Sequence, residues 1–322
     1  MNDPQLDISI VIPLYNEEES LSILMERIDA AMQEAGLHYE VLFIDDGSTD
    51  NSWLRLQQLQ RKYSTLRAIR FAVNYGKSAA LQVGFQRVSG RVVATMDADL
   101  QDDPAELPAM YRMIVEEHYD LVSGWKKKRL DPVFTKNLPS KLFNAAARRF
   151  SGIDNLHDFN CGIKTYRNEV VKNLDIHSDM HRYIPYLAKI AGYSRITEKP
   201  VRHARRQFGK SKYSINRFYH GYLDLLTLWF IHRFGRKPMH FFGLWGSIIF
   251  VLGLLSLAAV LGIKLTAIIQ HTTAPLVTDR VYFFIALTCM IVGVQLFSVG
   301  FLGELICQRS KNRHQYNIKE EL

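Results

Sequence analysis

The sequence predicts an α/β domain built on a mostly parallel sheet, followed by an amphipathic interfacial helix and two transmembrane helices. Three observations predict it. Short apolar runs alternate with amphipathic stretches through the N-terminal part; those runs are too apolar for burial on one face only; and two long apolar runs lie near the C-terminus. ISIVI (8–12) leads to a helix near Glu18–Ala35, and VLFID (41–45) to one near Ser52–Tyr63. LRAIRF (66–71) precedes a helix near Ser78–Val88, and VVATMD (92–97) one near Pro104–Glu117. Strands that read as continuous Val, Ile and Leu, each followed by a helix, indicate a parallel sheet covered on both sides. This domain is expected to span residues 1–213.

A juxtamembrane helix is expected over 214–238. Phe218, Tyr222, Leu225, Leu226 and Trp229 recur at helical spacing, with Arg217, Asp224, His232 and Arg233 elsewhere around the helix. The alternatives are a surface helix packed on the α/β domain and a helix lying in the headgroup plane. Its aromatic content and its run into an apolar segment favour the second. The hairpin is expected over 239–307, with spans of about 241–263 and 281–303, each 23 residues long and free of charge. At 1.5 Å per residue such a helix reaches about 34 Å, enough for a hydrocarbon core of about 30 Å. Buried core helices seldom stay charge-free for so long. Arg217, Arg233, Arg236 and Lys237 precede the first span, and Arg309, Lys311, Arg313 and Lys319 follow the second, whereas the connecting loop has Lys264 and Arg280. That asymmetry predicts an inner-membrane, multi-pass protein with both termini, the α/β domain and a basic tail (308–322) in the cytoplasm. The N-terminus does not read as a signal peptide, because Asp3 and Asp7 stand where a basic segment is needed and Pro13 breaks the apolar run.

Composition excludes several classes. With 48% hydrophobic residues the 322-residue chain is too apolar to be disordered, and its three cysteines cannot form a disulfide scaffold or a C-x-x-C zinc site. The mean hydropathy of −0.08 averages a polar domain with an apolar hairpin.

Ligands of an open parallel sheet bind outside the carboxyl ends of its strands. Three such ends carry chemistry: Pro13-Leu14-Tyr15-Asn16-Glu17, Asp45-Asp46-Gly47-Ser48 and Asp97-Ala98-Asp99-Leu100-Gln101. Clustered carboxylates repel unless a cation lies between them. Asp97, Asp99 and Gln101 offer hard oxygen ligands suited to Mg²⁺ or Mn²⁺, which would bridge phosphates and stabilise a leaving diphosphate. The first strand–helix turn lacks G-x-G-x-x-G, and the chain has no P-loop. A D-x-D also occurs in aspartyl-phosphate phosphatases, but there it follows the first strand and continues to Gly-Thr or Gly-Val.

PLYNEEES, IDDGSTDNS, NYGKSAAL, DADLQDDP and RQFGKSKYS, in that order over residues 8–213, resemble the signature blocks of the family-2 inverting glycosyltransferases. More narrowly the chain is similar to the polyprenyl-phosphate glycosyltransferases, the group of dolichol-phosphate mannose synthase and bacterial undecaprenyl-phosphate sugar transferases; the two-span tail with FLGE (301–304) resembles its membrane-anchored bacterial members. The resemblance implies a GT-A, Rossmann-like domain that passes a sugar, most simply from a UDP-sugar, to polyprenyl phosphate with inversion. It implies donor binding by Pro13, Tyr15, Glu17, Asp46, Lys77 and Asp97, with Asn74 and Gly76 in a donor-side loop, and metal binding by Asp97, Asp99 and Gln101. Arg129, Ser140, Arg206, Ser211 and Lys212 are the implied acceptor-phosphate contacts. Asp99, Asp158 and Arg206 are the implied catalytic residues, Asp158 standing where a base is placed in the family and where capping serves equally. The family's G-F-R is Gly162-Ile163-Lys164 here, which keeps the charge but not a bidentate grip. Q-x-x-R-W is absent, which disfavours a processive polysaccharide synthase.

The basic residues are concentrated. Residues 126–149 hold eight Lys and Arg against Asp131, and residues 195–237 hold eleven against Glu198 and Asp224. Nucleic acid is not an expected partner, since no stacking-aromatic motif accompanies the charge. A solvated or headgroup-facing surface and an acceptor-phosphate site at an anionic membrane are the two readings, the second being sharper. A lipid monophosphate, with second pKa about 6, is already an anionic nucleophile near neutral pH and needs no general base. Cys161 reads as a small core residue. The expected partners are a nucleotide-sugar donor, polyprenyl phosphate and the lipid bilayer, with a homo-oligomer left open. Transfer to a protein or glycan, and a non-catalytic binder on the same fold, are the rival readings.

Overall fold

The computed structural model describes residues 6–127, 144, 148, 152–176, 180–204, 230, 238–271, 276–309 and 318–321. They form two compact units, an α/β unit and a helical hairpin.

In the α/β unit, β1 (Ile8–Leu14), β2 (Tyr39–Asp45), β3 (Leu66–Phe71) and β4 (Val92–Thr95) lie parallel in the order β3-β2-β1-β4. β5 (Leu121–Trp125), β6 (Lys164–Arg167) and β7 (Ile196–Pro200) extend the sheet beyond β4 as β4-β6-β5-β7, with β6 antiparallel to both neighbours. β8 (Ile318–Glu321) pairs antiparallel with the far edge of β3. Only β6 and β8 run against the common direction. Every residue of β2 is buried, Glu40 and Asp45 included, as a strand covered on both faces requires.

Four helices connect the parallel strands: α1 (Leu21–Glu34), α2 (Ser52–Lys62), α3 (Lys77–Arg87) and α4 (Leu107–Val115). The four expected helices are present with boundaries shifted by one to three residues, except that α4 is preceded by a 3₁₀ turn at Pro104–Glu106. α1 buries Leu21, Leu24, Met25, Ile28 and Met32, a single apolar stripe. α3 differs. Every residue from Ser78 to Phe85 is buried, and Gly84 lies so close to β1 that a Cβ there would sit 2.3 Å from Val11 Cγ1. That approach carries the N-terminal turn of α3 to the carboxyl end of β1. The short helices α5 (Asn168–Lys172) and α6 (Ile184–Ile190) follow β6.

The hairpin consists of α7 (Pro238–Ile269) and α8 (Val281–Arg309), both long and apolar enough to cross a membrane. Each extends beyond the charge-free run that marks it in the sequence. Small residues let the two backbones touch: a Cβ on Gly246 would lie 2.7 Å from the Gly293 carbonyl, and one on Gly253 2.8 Å from that of Ala286. Within the basic tail expected over 308–322, Ile318–Glu321 form β8. Of the expected juxtamembrane helix only Phe230, stacked at a tilt on Phe242, and Pro238, the first residue of α7, are described.

Candidate active site

Strand order reverses at β1, whose neighbours β2 and β4 are followed by chain running to opposite sides of the sheet. The crevice of an open α/β sheet opens at such a point, beyond the carboxyl ends. The turn after β1 is tied to the turn after β2. Asn16 N–H donates to Ser48 Oγ at 2.9 Å, Thr49 N–H to Asn16 Oδ1 at 2.8 Å, and Glu17 N–H to Ser52 Oγ at 2.9 Å. Pro13, Tyr15 and Glu17 are thereby held on one half-buried rim. Asn16 takes a left-handed φ of 56°, which its short amide tolerates.

The two aspartates of IDDG have separate tasks. Asp45 is fully buried and accepts Ser48 N–H at 2.8 Å, with Arg70 Nε 3.4 Å from its other oxygen. Asp46 grips the loop before α3: Oδ1 accepts Tyr75 N–H at 2.7 Å and Oδ2 accepts Gly76 N–H at 2.9 Å. Burial pushes its pKa from 3.8 up to about 6, against the pull of those two bonds. Asp46 therefore shapes the loop before α3 through Tyr75 and Gly76; Asn74 and Tyr75 are exposed.

Lys77, the first residue of α3, donates from Nζ to Asp97 Oδ1, so the two residues expected at the donor site meet. Burial works against the Asp97 charge, but Lys77, Lys126 and Lys164 overcome it and hold the carboxyl at about 2. Gly162 seals the other side, where a Cβ would fall 2.6 Å from Asp97 Oδ2 and 2.9 Å from Asp102 Oδ2. Asp102 is buried, with Lys126 Nζ 2.8 Å and His203 Nδ1 3.9 Å from its Oδ1. The first lysine of the basic run 126–129 thus faces inward and does not serve a lipid surface. Asp99 Oδ1 accepts Gln101 N–H at 3.2 Å, across a buried Leu100 held at φ 61°. Gln101 C=O in turn accepts Ala204 N–H at 2.9 Å. Asp97, Asp99 and Gln101 present the hard oxygen donors that a divalent cation requires. Among the described residues no group of three or more His, Cys, Asp and Glu side chains converges to hold a metal ion.

Behind Asp97 a small polar pocket is lined by Pro13, Lys77, Asn160, Lys164 and His181. Lys164 is buried and donates to the Cys161 carbonyl; burial lowers its pKa. Burial, then Asp102, drives the Cys161 thiol up to about 12, which fits a core residue and no nucleophile. Asp158 is buried, and its Oδ1 accepts Asn160 N–H at 3.2 Å, which fixes a pocket-lining residue. His181, Lys126, Asp102 and Ser78 carry no signal of their own in the sequence: one histidine among eleven and one lysine in a basic run look like their neighbours. Arg129, Ser140, Arg206, Ser211 and Lys212 lie outside the described residues. A larger cleft of about 760 Å³ opens at the amino ends of the strands, but its cations Lys172 and Arg167 are engaged internally. Lys172 bonds the carbonyls that end α3, and Arg167 pairs with Asp120.

A sheet with a switch-point crevice, acidic residues at three strand ends and lysines between them defines a GT-A-type group transferase. The family description "Glycosyl transferase family 2" matches residues 9–175, and the chain belongs to that family and is a glycosyltransferase. The dodecaprenyl-phosphate galacturonate synthase of Rhizobium johnstonii is 35% identical over 311 residues, which cover 95% of this chain and 90% of that one. Two crystal structures of glucosyl-3-phosphoglycerate synthase from Mycobacterium tuberculosis share the fold. The complex with Mn²⁺, UDP and phosphoglyceric acid has a TM-score of 0.56 at 17% identity, over 70% of this chain and 78% of that one. The complex with Mn²⁺ and UDP-glucose has a TM-score of 0.54 at 20% identity, over 70% and 79%.

Proposed function

We propose that this glycosyltransferase transfers a sugar, with inversion, from a nucleotide sugar, in our reading a UDP-sugar, to polyprenyl phosphate at the cytoplasmic face of the inner membrane. The observation that carries it is the reach of the similarity to the dodecaprenyl-phosphate galacturonate synthase: it covers 95% of the chain, so it runs through the α/β unit and the apolar hairpin alike. The Mycobacterium relatives with UDP and Mn²⁺ support a nucleotide donor and a divalent ion.

In this reading the rim at Pro13–Glu17 receives the nucleoside and Lys77 faces the diphosphate. A divalent ion held by Asp97, Asp99 and Gln101 would supply charge stabilisation to the departing nucleoside diphosphate. An acceptor phosphate oxygen attacks the anomeric carbon as its bond to the diphosphate oxygen breaks, and the electron pair leaves with the nucleoside diphosphate. The attacking oxygen is already ionised, so no proton has to be removed, and Asp158 serves by positioning Asn160. Arg129, Ser140, Arg206, Ser211 and Lys212 are assigned to the acceptor phosphate. The chain crosses the membrane twice, with both termini cytoplasmic.

The test is the purified full-length protein with Mg²⁺ or Mn²⁺, labelled UDP- and GDP-sugars and undecaprenyl phosphate. A lipid-linked labelled product is expected from one donor, and Asp99→Ala should lower kcat by about 10²–10³-fold. No product from any donor, or full activity in Asp99→Ala, would sink the proposal. Product formed without polyprenyl phosphate would point to a protein or glycan acceptor, and donor binding without turnover to a non-catalytic binder.

A further inference from the structure

We infer that His181 presents its Nε2–H as a hydrogen-bond donor to a phosphoryl oxygen of the reactants in the pocket behind Asp97. The inference rests on the glycosyl transfer proposed above and adds a binding residue to it.

Ser78, buried in the first turn of α3, is bonded to His181 twice. Its Oγ accepts the His181 main-chain N–H at 3.0 Å, and the same Oγ lies 3.0 Å from the ring atom Nδ1. The serine hydroxyl has one proton, and among the described residues Nδ1 is the acceptor it reaches. Nδ1 is then the unprotonated nitrogen, and the ring proton sits on Nε2. The assignment follows from the hydrogen-bond network, in which one partner fixes the tautomer. Nε2 makes no hydrogen bond among the described residues, yet it is not one of the sealed, unpaired buried atoms. The ring lines the pocket together with Lys77, Asp97, Asn160 and Lys164.

The surroundings decide what such a donor binds. Lys77, Arg182 and Lys164 are cations that act on the ring, and Asp97, a carboxylate that acts on it, is already paired with Lys77. The field therefore favours an anion. Burial first, then Lys77 and Arg182, holds the imidazole pKa down to about 3, so the ring is neutral at physiological pH. With Nε2 already protonated and Nδ1 occupied by Ser78, the ring cannot accept a proton as a base, and it is too weakly basic to act as imidazolium acid. What remains is a fixed neutral donor, which can hold a phosphoryl oxygen without adding a fourth charge beside the lysines. That oxygen belongs either to the donor's diphosphate or to the acceptor's monophosphate.

The experiment uses the full-length protein and its variants His181→Ala, His181→Gln and Ser78→Ala, with UDP-sugar and undecaprenyl phosphate varied separately and UDP affinity measured by calorimetry. His181→Ala should lower kcat/KM by about 10- to 100-fold. His181→Gln, whose amide N–H can take the place of Nε2–H, should restore most of it. Ser78→Ala, which frees the tautomer, should lower kcat/KM several-fold. A raised donor KM with weakened UDP binding assigns the oxygen to the diphosphate; a raised acceptor KM with unchanged UDP binding assigns it to the monophosphate. Wild-type kcat/KM in His181→Ala, or His181→Gln as impaired as His181→Ala with an unchanged melting temperature, overturns the inference. Absence of turnover in the wild type defeats the proposed function instead, so the two failures are distinct.

Discussion

At the scale of single residues, Asp46 couples protonation to the shape of the loop before α3. Its folded pKa of about 6 lies above the unfolded value of 3.8, so its contribution to stability is fully present below about 3.8 and is lost as pH rises through about 6. Function runs the other way. Only the ionised carboxylate has both oxygens free to accept from Tyr75 and Gly76, the residues that lead directly into Lys77. Activity should therefore fall on acidification with a midpoint near pH 6, where the acceptor phosphate also titrates. Asp46→Asn separates the two: a kcat/KM profile between about pH 5 and 8 should lose one of two ionisations and run lower throughout. An Asp46→Asn profile identical to wild type would remove Asp46 from this role. The Lys126–Asp102 pair makes a second prediction. Burial opposes the Lys126 charge, but Asp102 holds its pKa above the ordinary value, while neither Asp102 oxygen makes a directed hydrogen bond among the described residues. Lys126→Met should cost about 3–5 kcal/mol, because it strands a buried carboxylate, whereas Lys126→Met with Asp102→Leu should recover most of that. Thermal or denaturant melts of the wild type, Lys126→Met, Asp102→Leu and the double variant check it, and additive losses would contradict a coupled pair.

At the scale of elements, the contact between α3 and β1 sets the position of Lys77 and Ser78. Gly84→Ala places a methyl 2.3 Å from Val11 Cγ1, so helix and strand must separate. The expected cost is about 1–3 kcal/mol, with a raised KM for the nucleotide sugar, and Val11→Ala in the same chain should relieve both. A Gly84→Ala protein with unchanged melting temperature and KM would show that α3 tolerates displacement. The four βα repeats were legible because each strand is a short apolar run and each of α1, α2 and α4 keeps one apolar stripe. β5, β6 and β7 were not, because LVSGW, KTYR and ITEKP mix polar and apolar residues without either period. The same limit applies within the site. Asp97 and Asp99 stand out because two acids at a strand end demand a cation. Lys126 and His181 do not, because their meaning comes from what the antiparallel strands and α3 place around them. The seam of the hairpin emerges only in the structure, as Gly246 and Gly253 on one helix and Ala286, Gly293 and Gly300 on the other, each spaced by seven.

At the scale of the whole molecule, the formal charge of +8 is not one quantity. Part of it is internal: Lys126 is spent on Asp102 and Lys199 on Glu106, both within the α/β unit. The sequence carries further Lys and Arg over 128–149 and 205–237, the second group leading into the first apolar helix. Under the proposed function these two parts of the chain should respond differently to salt. Attachment through an apolar hairpin rests on burial of hydrocarbon surface, which screening leaves intact. Capture of an anionic lipid by basic side chains rests on a field whose range falls from about 10 Å at 0.1 M salt to about 3 Å at 1 M. The full-length protein in vesicles containing phosphatidylglycerol should therefore stay in the membrane fraction across that range, while KM for undecaprenyl phosphate rises several-fold and KM for the nucleotide sugar changes less. In purely zwitterionic vesicles the starting KM should already be high, because the bilayer no longer concentrates the basic segments at its surface. Loss of the protein from the membrane at high salt would mean that charge, and not the hairpin, holds it there. A salt-independent acceptor KM in both lipids would mean that the basic residues serve the fold and leave recognition of the lipid phosphate to the buried site.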